Sequence, residues 1–142
     1  MSESGRREGS CLCGAVALTV ESFDTSLHAC HCNMCRKWGG GPFLAVDCGK
    51  GIGIDGREFV AAFDSSEWAQ RGFCSRCGTH LFYRLKGSDR YVVPVGFFDD
   101  DSGVSFASQI FVDEKPEYYA FADETTFKTG AEVFAKYAPG PQ

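Results

Sequence analysis

The sequence predicts an all-β fold, closed by one short C-terminal helix. Three observations predict it. Short segments of alternating apolar and polar residues recur along the chain, separated by turns rich in Gly, Asp and Ser. The 142 residues include 13 Phe and 17 Gly, a composition that suits short strands and tight turns better than long helices. Seven of the eight cysteines fall into three closely spaced groups, so metal ligation can staple small sheets that a modest core would hold poorly.

Taken in order, residues 1–9 are polar, carry Arg6, Arg7 and Glu8, and are expected to be a flexible tail. A single domain is expected over 10–138, followed by a tail at 139–142. Residues 10–21 alternate, with Val16, Leu18 and Val20 on one face, and predict a strand. A second strand is expected over 26–32, running into the cysteines. Residues 33–38 predict a turn or short helix, broken by Gly39-Gly40-Gly41-Pro42, and extended chain resumes over 43–46. The stretch 51–56 spells G-x-G-x-x-G, but no helical pattern follows it, so its glycines are read as β-turns rather than a dinucleotide loop. Strands are expected over 59–63 and 69–73, joined by a polar turn at 64–67. After a turn at 74–78, further strands are expected over 79–85, 91–98 and 106–112. Pro94 marks the second of these as an edge or a bulge. Residues 99–103 lack the ligand spacing of an EF-hand and read as a solvated turn. Thr129-Gly130-Ala131-Glu132 is a capping box. It opens a helix with Val133, Phe134 and Tyr137 on one face, stopped by Pro139-Gly140-Pro141.

The net charge of −5 argues against nucleic-acid and anionic-membrane partners, which demand basic patches. No apolar run approaches the roughly 20 residues of a membrane span. The N-terminus has no apolar core of a secretory signal. A cytoplasmic, reducing environment is therefore expected, in which clustered cysteines are metal ligands rather than disulfides.

Zinc takes thiolates tetrahedrally. Cys11 and Cys13, two apart on an extended segment, can present both sulfurs to one metal. Cys74 and Cys77 form a C-x-x-C turn. Together these four fill a structural site, across about 60 residues of chain. Cys30, Cys32 and Cys35 remain, and three thiolates leave the fourth place of an open, catalytic type of site. His28 shares the strand parity of Cys30 and Cys32 and is the better protein candidate to fill it. His31 lies between two ligands and points away from them. From spacing alone, pairing Cys30 and Cys32 with Cys74 and Cys77 stays possible. His80 reads as a strand residue beside the ligands, and Cys48 as a free buried thiol.

These motifs resemble one family. C-x-C-G stands at Cys11-Leu12-Cys13-Gly14, C-H-C-x-x-C-R at Cys30-His31-Cys32-Asn33-Met34-Cys35-Arg36, and F-C-x-x-C-G at Phe73-Cys74-Ser75-Arg76-Cys77-Gly78. Their order, spacing and flanks over 9–112 resemble the glutathione-dependent formaldehyde-activating enzymes. The resemblance implies a β-tent fold of small antiparallel sheets around two zinc ions per chain. It implies a structural zinc at Cys11, Cys13, Cys74 and Cys77 and a catalytic zinc at Cys30, Cys32 and Cys35. It also implies a carbon–sulfur lyase that condenses a thiol such as glutathione with formaldehyde or another small aldehyde. Arg36 and Lys37 could meet glutathione carboxylates, and Trp38 could wall the pocket. As ordinary residues the first two are a solvated basic pair and the third a rim aromatic. A non-catalytic zinc-stabilised binding module and a zinc enzyme with water as nucleophile are the competing expectations.

Overall fold

The structure, a computed structural model, describes residues 5–137. The alternation at Val16, Leu18 and Val20 is realised: all three side chains are buried. The last two belong to a strand, Ala17–Val20. It is the middle strand (β2) of a three-stranded sheet, between β1 (Arg7–Ser10) and β5 (Gly53–Asp55), antiparallel to both.

The expected tail at 1–9 is therefore shorter than its polarity suggests. Arg7 pairs in β1 and donates to the carbonyls of Asp100 and Ser102, the latter at 2.8 Å. Its guanidinium lies 4.9 Å from the Phe23 ring. These partners lie far along the chain, so hydropathy alone did not reveal them. Residues 1–4 and the expected tail at 139–142 lie outside the described residues. The strand expected over 10–21 is also shorter. Cys11 and Cys13 sit in a turn closed by Gly14 N–H donating to Cys11 O at 3.0 Å, not on extended chain.

The second sheet has eight strands. In spatial order they are β11 (Thr126–Lys128), β10 (Ser105–Ile110), β3 (Ser26–Cys30), β4 (Phe43–Lys50), β9 (Arg90–Pro94), β8 (His80–Leu85), β7 (Ala69–Cys74) and β6 (Val60–Asp64). From β3 to β6 every pairing is antiparallel, whereas β10 runs parallel to both β3 and β11. Pro94 is neither on an edge strand nor in a bulge. It is the last residue of the interior strand β9, where a missing N–H interrupts no ladder beyond it, and a 3-10 turn (Val95–Phe97) follows. That turn replaces the strand expected to continue to Phe98.

The stretch 51–56, read from sequence as turns, holds turns only at its two ends; Gly53–Asp55 between them is β5. Gly51 and Gly56 have φ of +74° and +82°, and a Cβ on Gly56 would lie 1.9 Å from the Ala15 carbonyl oxygen. A 3-10 turn (Arg57–Phe59) follows, not an α-helix.

The core joins the small sheet to the large one through Val16, Leu18, Phe23, Val46, Leu81 and Val93. The capping box forms as read: Glu132 N–H donates to Thr129 Oγ1 at 3.2 Å and Thr129 N–H to Glu132 Oε1 at 2.9 Å. It starts α2 (Gly130–Tyr137), whose Phe134 packs edge-on against Trp68 and Phe111. The side chain of Tyr137 and the Pro139-Gly140-Pro141 stop lie outside the described residues.

Candidate metal centres

The β1–β2 turn and the β7–β8 turn meet. Each is shaped locally: Val16 N–H donates to Cys11 Sγ at 3.3 Å, and Gly78, at φ +79°, donates its N–H to Cys74 O at 2.8 Å. Thr79 ties the two turns together. Its hydroxyl accepts from Leu12 N–H at 3.1 Å and lies 3.1 Å from Cys77 Sγ. The sulfurs of Cys11, Cys13, Cys74 and Cys77 all lie within 4.8 Å of one another. Two of the edges, Cys11–Cys13 and Cys13–Cys74, measure 3.7 and 3.8 Å. A tetrahedron of metal–sulfur bonds of about 2.3 Å has edges of about 3.8 Å, so this donor set fits zinc. The Thr79 hydroxyl holds the Cys77 thiol down to about 5, in the range where it is a ready ligand.

The second cluster is local. Cys30 ends β3, Cys32 is the N-cap of α1 (Asn33–Gly39), and Cys35 lies in its first turn. Cys35 N–H donates to Cys32 Sγ at 3.3 Å, and Gly40, at φ +84°, closes the helix by donating to Arg36 O. The three sulfurs lie within 4.8 Å of one another, all buried, and pack against Phe43, Ile110 and Phe111. Neighbouring thiols Cys30 and Cys35 donate to Cys32 and push its pKa down, while the same sharing pushes Cys30 up. Cys30 and Cys32 do not share a site with Cys74 and Cys77, the alternative that spacing had left open.

Neither histidine candidate joins the three thiols. His31 is fully buried, and both ring nitrogens are engaged: Nε2 lies 2.8 Å from Gln109 Oε1 and Nδ1 2.7 Å from the Tyr119 hydroxyl. Its burial favours the neutral ring. His28 turns to Ser108 Oγ. Among the described residues, each metal-type group consists of cysteines alone.

Of the three residues expected near substrate, Trp38 is half-buried among other aromatic rings. It stacks on His80 at 3.8 Å and meets Phe43 edge-on. Arg36 donates from Nε to the His31 carbonyl at 2.9 Å, and Lys37 is exposed. A cleft of about 440 Å³ is lined by Gly39, Phe43, Leu44, Thr79, His80 and Phe97, two of which, Phe43 and His80, touch Trp38. Cys48 is buried apart from both clusters.

One residue at the cluster was not anticipated from sequence. Arg71, on β7, is 3% exposed and donates from Nη1 to Cys35 Sγ at 3.6 Å. Its inward parity with the buried Ala69 was a signal, but parity cannot tell which distant residues an inward side chain meets.

A family model described as glutathione-dependent formaldehyde-activating enzyme matches residues 6–114. The chain is 35% identical over 127 residues to an uncharacterized lyase of Schizosaccharomyces pombe, covering 89% of this chain and 93% of that protein. It is 32% identical over 84 residues to a Halomonas elongata protein that shares the family's name, covering 53% and 54% of the two chains. A crystal structure of a Rhodobacter sphaeroides protein superposes with a TM-score of 0.57 at 25% identity, over 69% of this chain and 90% of that one. The family match runs from β1 through β10 and takes in both cysteine clusters, and the chain belongs to the glutathione-dependent formaldehyde-activating enzyme family.

Proposed function

We propose that this protein is a zinc-dependent carbon–sulfur lyase that joins a thiol to formaldehyde or another small aldehyde at the three-cysteine cluster. The observation that carries the reading is the unequal donor count. Four thiols make a complete tetrahedral set at one cluster, and three make an incomplete set at the other, with His28 and His31 committed elsewhere. Cys11, Cys13, Cys74 and Cys77 would hold a structural zinc, and Cys30, Cys32 and Cys35 a catalytic one. When bound at the three-cysteine site, zinc favours thiolate over thiol in a fourth sulfur ligand and so supplies a nucleophile at neutral pH.

In the reaction a carbon–sulfur bond forms between the thiol sulfur and the aldehyde carbon. The thiol proton is released, and the carbonyl oxygen takes up a proton as its π bond breaks. The chain's contribution is placement and exclusion of water. Phe43, Ile110 and Phe111 close the buried side of the cluster. Trp38, in contact with Phe43 and His80, would back the cleft these two residues line, and that cleft would accommodate the body of a small substrate. Lys37, exposed and two positions past Cys35, would meet a substrate carboxylate together with Arg36. Glutathione is the first candidate thiol, supported by the family and by a relative's name. A cytoplasmic setting agrees with all eight cysteines being free thiols. No helix among the described residues is long and apolar enough to cross a membrane.

The test is cobalt substitution, because the visible bands report how many thiolates bind. Two metals per chain are expected. Titrated glutathione should change the bands of one site and leave those of the other alone, and loaded enzyme should speed adduct formation between glutathione and formaldehyde. If no thiol perturbs either site and His28→Ala does, the cluster is closed by protein, and a zinc-stabilised binding module replaces the lyase.

A further inference from the structure

The burial of Arg71 is the least explained feature of the molecule. A guanidinium cannot lose its proton, and charged side chains are rarely buried without a partner of opposite charge. Among the described residues, ion pairs engage Arg7, Arg84, Lys86 and Arg90 with carboxylates, and none engages Arg71. Its contacts are the Ser65 hydroxyl at 3.2 Å from Nε, the Cys35 sulfur at 3.6 Å from Nη1, and the rings of Trp38 and Tyr83, whose centroids lie 5.2 and 5.0 Å away. A hydroxyl and two ring faces solvate a cation but do not neutralise it. The cysteine cluster is the one contact that can carry negative charge.

The placement is also costly to build. β7 and β3 are four positions apart in the sheet, about 19 Å if the sheet were flat at about 4.8 Å per step. The sheet must curve for Arg71 to reach a sulfur on the helix that follows β3. Tyr83, directly across the ladder from Arg71, backs the guanidinium from the neighbouring strand, and Trp38 faces it from α1.

We infer that Arg71 is the charge partner of the three-cysteine cluster and that it admits an anionic fourth ligand, a thiolate, to that cluster. A divalent metal with three thiolates carries one net negative charge, and a fourth thiolate would raise this to two. Such a dianion in a buried site repels its last ligand unless a fixed cation stands beside it. Arg71 is that cation. It touches Cys35 rather than the substrate, so it is a positioning residue. Among the hydrogen bonds of the described residues, Arg71 reaches a sulfur of the cluster, whereas Arg36 directs its Nε to the His31 carbonyl and Lys37 is exposed. The inference rests on the proposed reading that the open position takes a thiol.

The experiment compares wild-type, Arg71→Met, Arg71→Gln and Arg71→Lys proteins loaded with cobalt. Each is titrated with 2-mercaptoethanol, which binds as an anion, and with imidazole, which binds as a neutral ligand. In the Met and Gln variants thiol affinity should fall at least about tenfold, which corresponds to about 1.4 kcal/mol. Imidazole affinity should hold or rise, the four-cysteine bands should stay unchanged, and Arg71→Lys should recover most of the thiol affinity. Unchanged thiol affinity in Met and Gln overturns the inference, and so does a Lys variant as weak as Met. If the neutral variants lose the four-cysteine bands and the Lys variant keeps them, the Lys variant decides alone: thiol affinity near that of wild type sustains the role, and affinity at least about tenfold weaker overturns it. If Lys loses them too, Arg71 serves packing and the inference fails. Should the wild-type protein bind no thiol, the lyase reading falls by itself. Arg71 is then judged by chelator competition for zinc at the three-cysteine site, where weaker binding in Met and Gln but not Lys sustains the charge role and equal binding ends it.

Discussion

Cys48 and Cys77 are the same residue type in opposite circumstances. Burial pushes the Cys48 thiol up to about 12, and its Sγ reaches no metal-type partner. In native zinc-loaded protein at pH 8, iodoacetamide should leave Cys48 unmodified and alkylate it only after denaturation, as read by mass spectrometry. Labelling at the rate of a free thiol would contradict its burial. Cys32 caps α1 and belongs to a cluster spanning six residues, which closes only a short loop and stabilises little. Cys32→Ser should therefore lower zinc content by about one per chain and leave the melting transition cooperative. Global unfolding of that variant would mean that the two clusters have exchanged roles. The seven clustered cysteines were legible at this scale because ligand spacing is a local property. The engagement of His31 by Gln109 and Tyr119, roughly 80 and 90 residues away, was not.

At the scale of elements, β7 does more than its six residues announce. It carries Arg71 to one cluster and Cys74 to the other. Between them Gly72 faces Phe82 on β8, and a Cβ there would lie 2.4 Å from the Phe82 ring. Phe82 is itself buried, so its ring has little room to yield. Gly72→Ala should cost about 1–3 kcal/mol by overpacking, measured as a lower urea midpoint with an unchanged slope. A midpoint equal to wild type would show that the ring moves freely. Most strands were readable from alternation, and α2 from its capping box. β1 was missed because its residues are polar and its anchors remote, and β5 and β11 because three residues carry no period.

At the scale of the whole molecule, the four-cysteine cluster joins turns from the small and the large sheet, with Cys13 and Cys74 separated by 61 positions. Metal bound there closes a long loop and links the two sheets, so its binding energy is folding energy. Cys77→Ser should leave the protein poorly folded, seen as a lost or strongly lowered melting transition and lost zinc. Unchanged melting with unchanged zinc content would remove the structural assignment. The sequence by itself determined the β class, the buried faces, and the three close groups of cysteines. Each of these is written in spacings of a few residues, which backbone geometry turns directly into direction. Tertiary structure alone decided the parallel docking of β10 beside β3, the withdrawal of His28 and His31 from the metal-type clusters, and the delivery of Arg71 to Cys35. These depend on how strands order and curve within the sheet, and no local spacing encodes that. A charge buried 36 positions from its partner is chosen by the assembled fold.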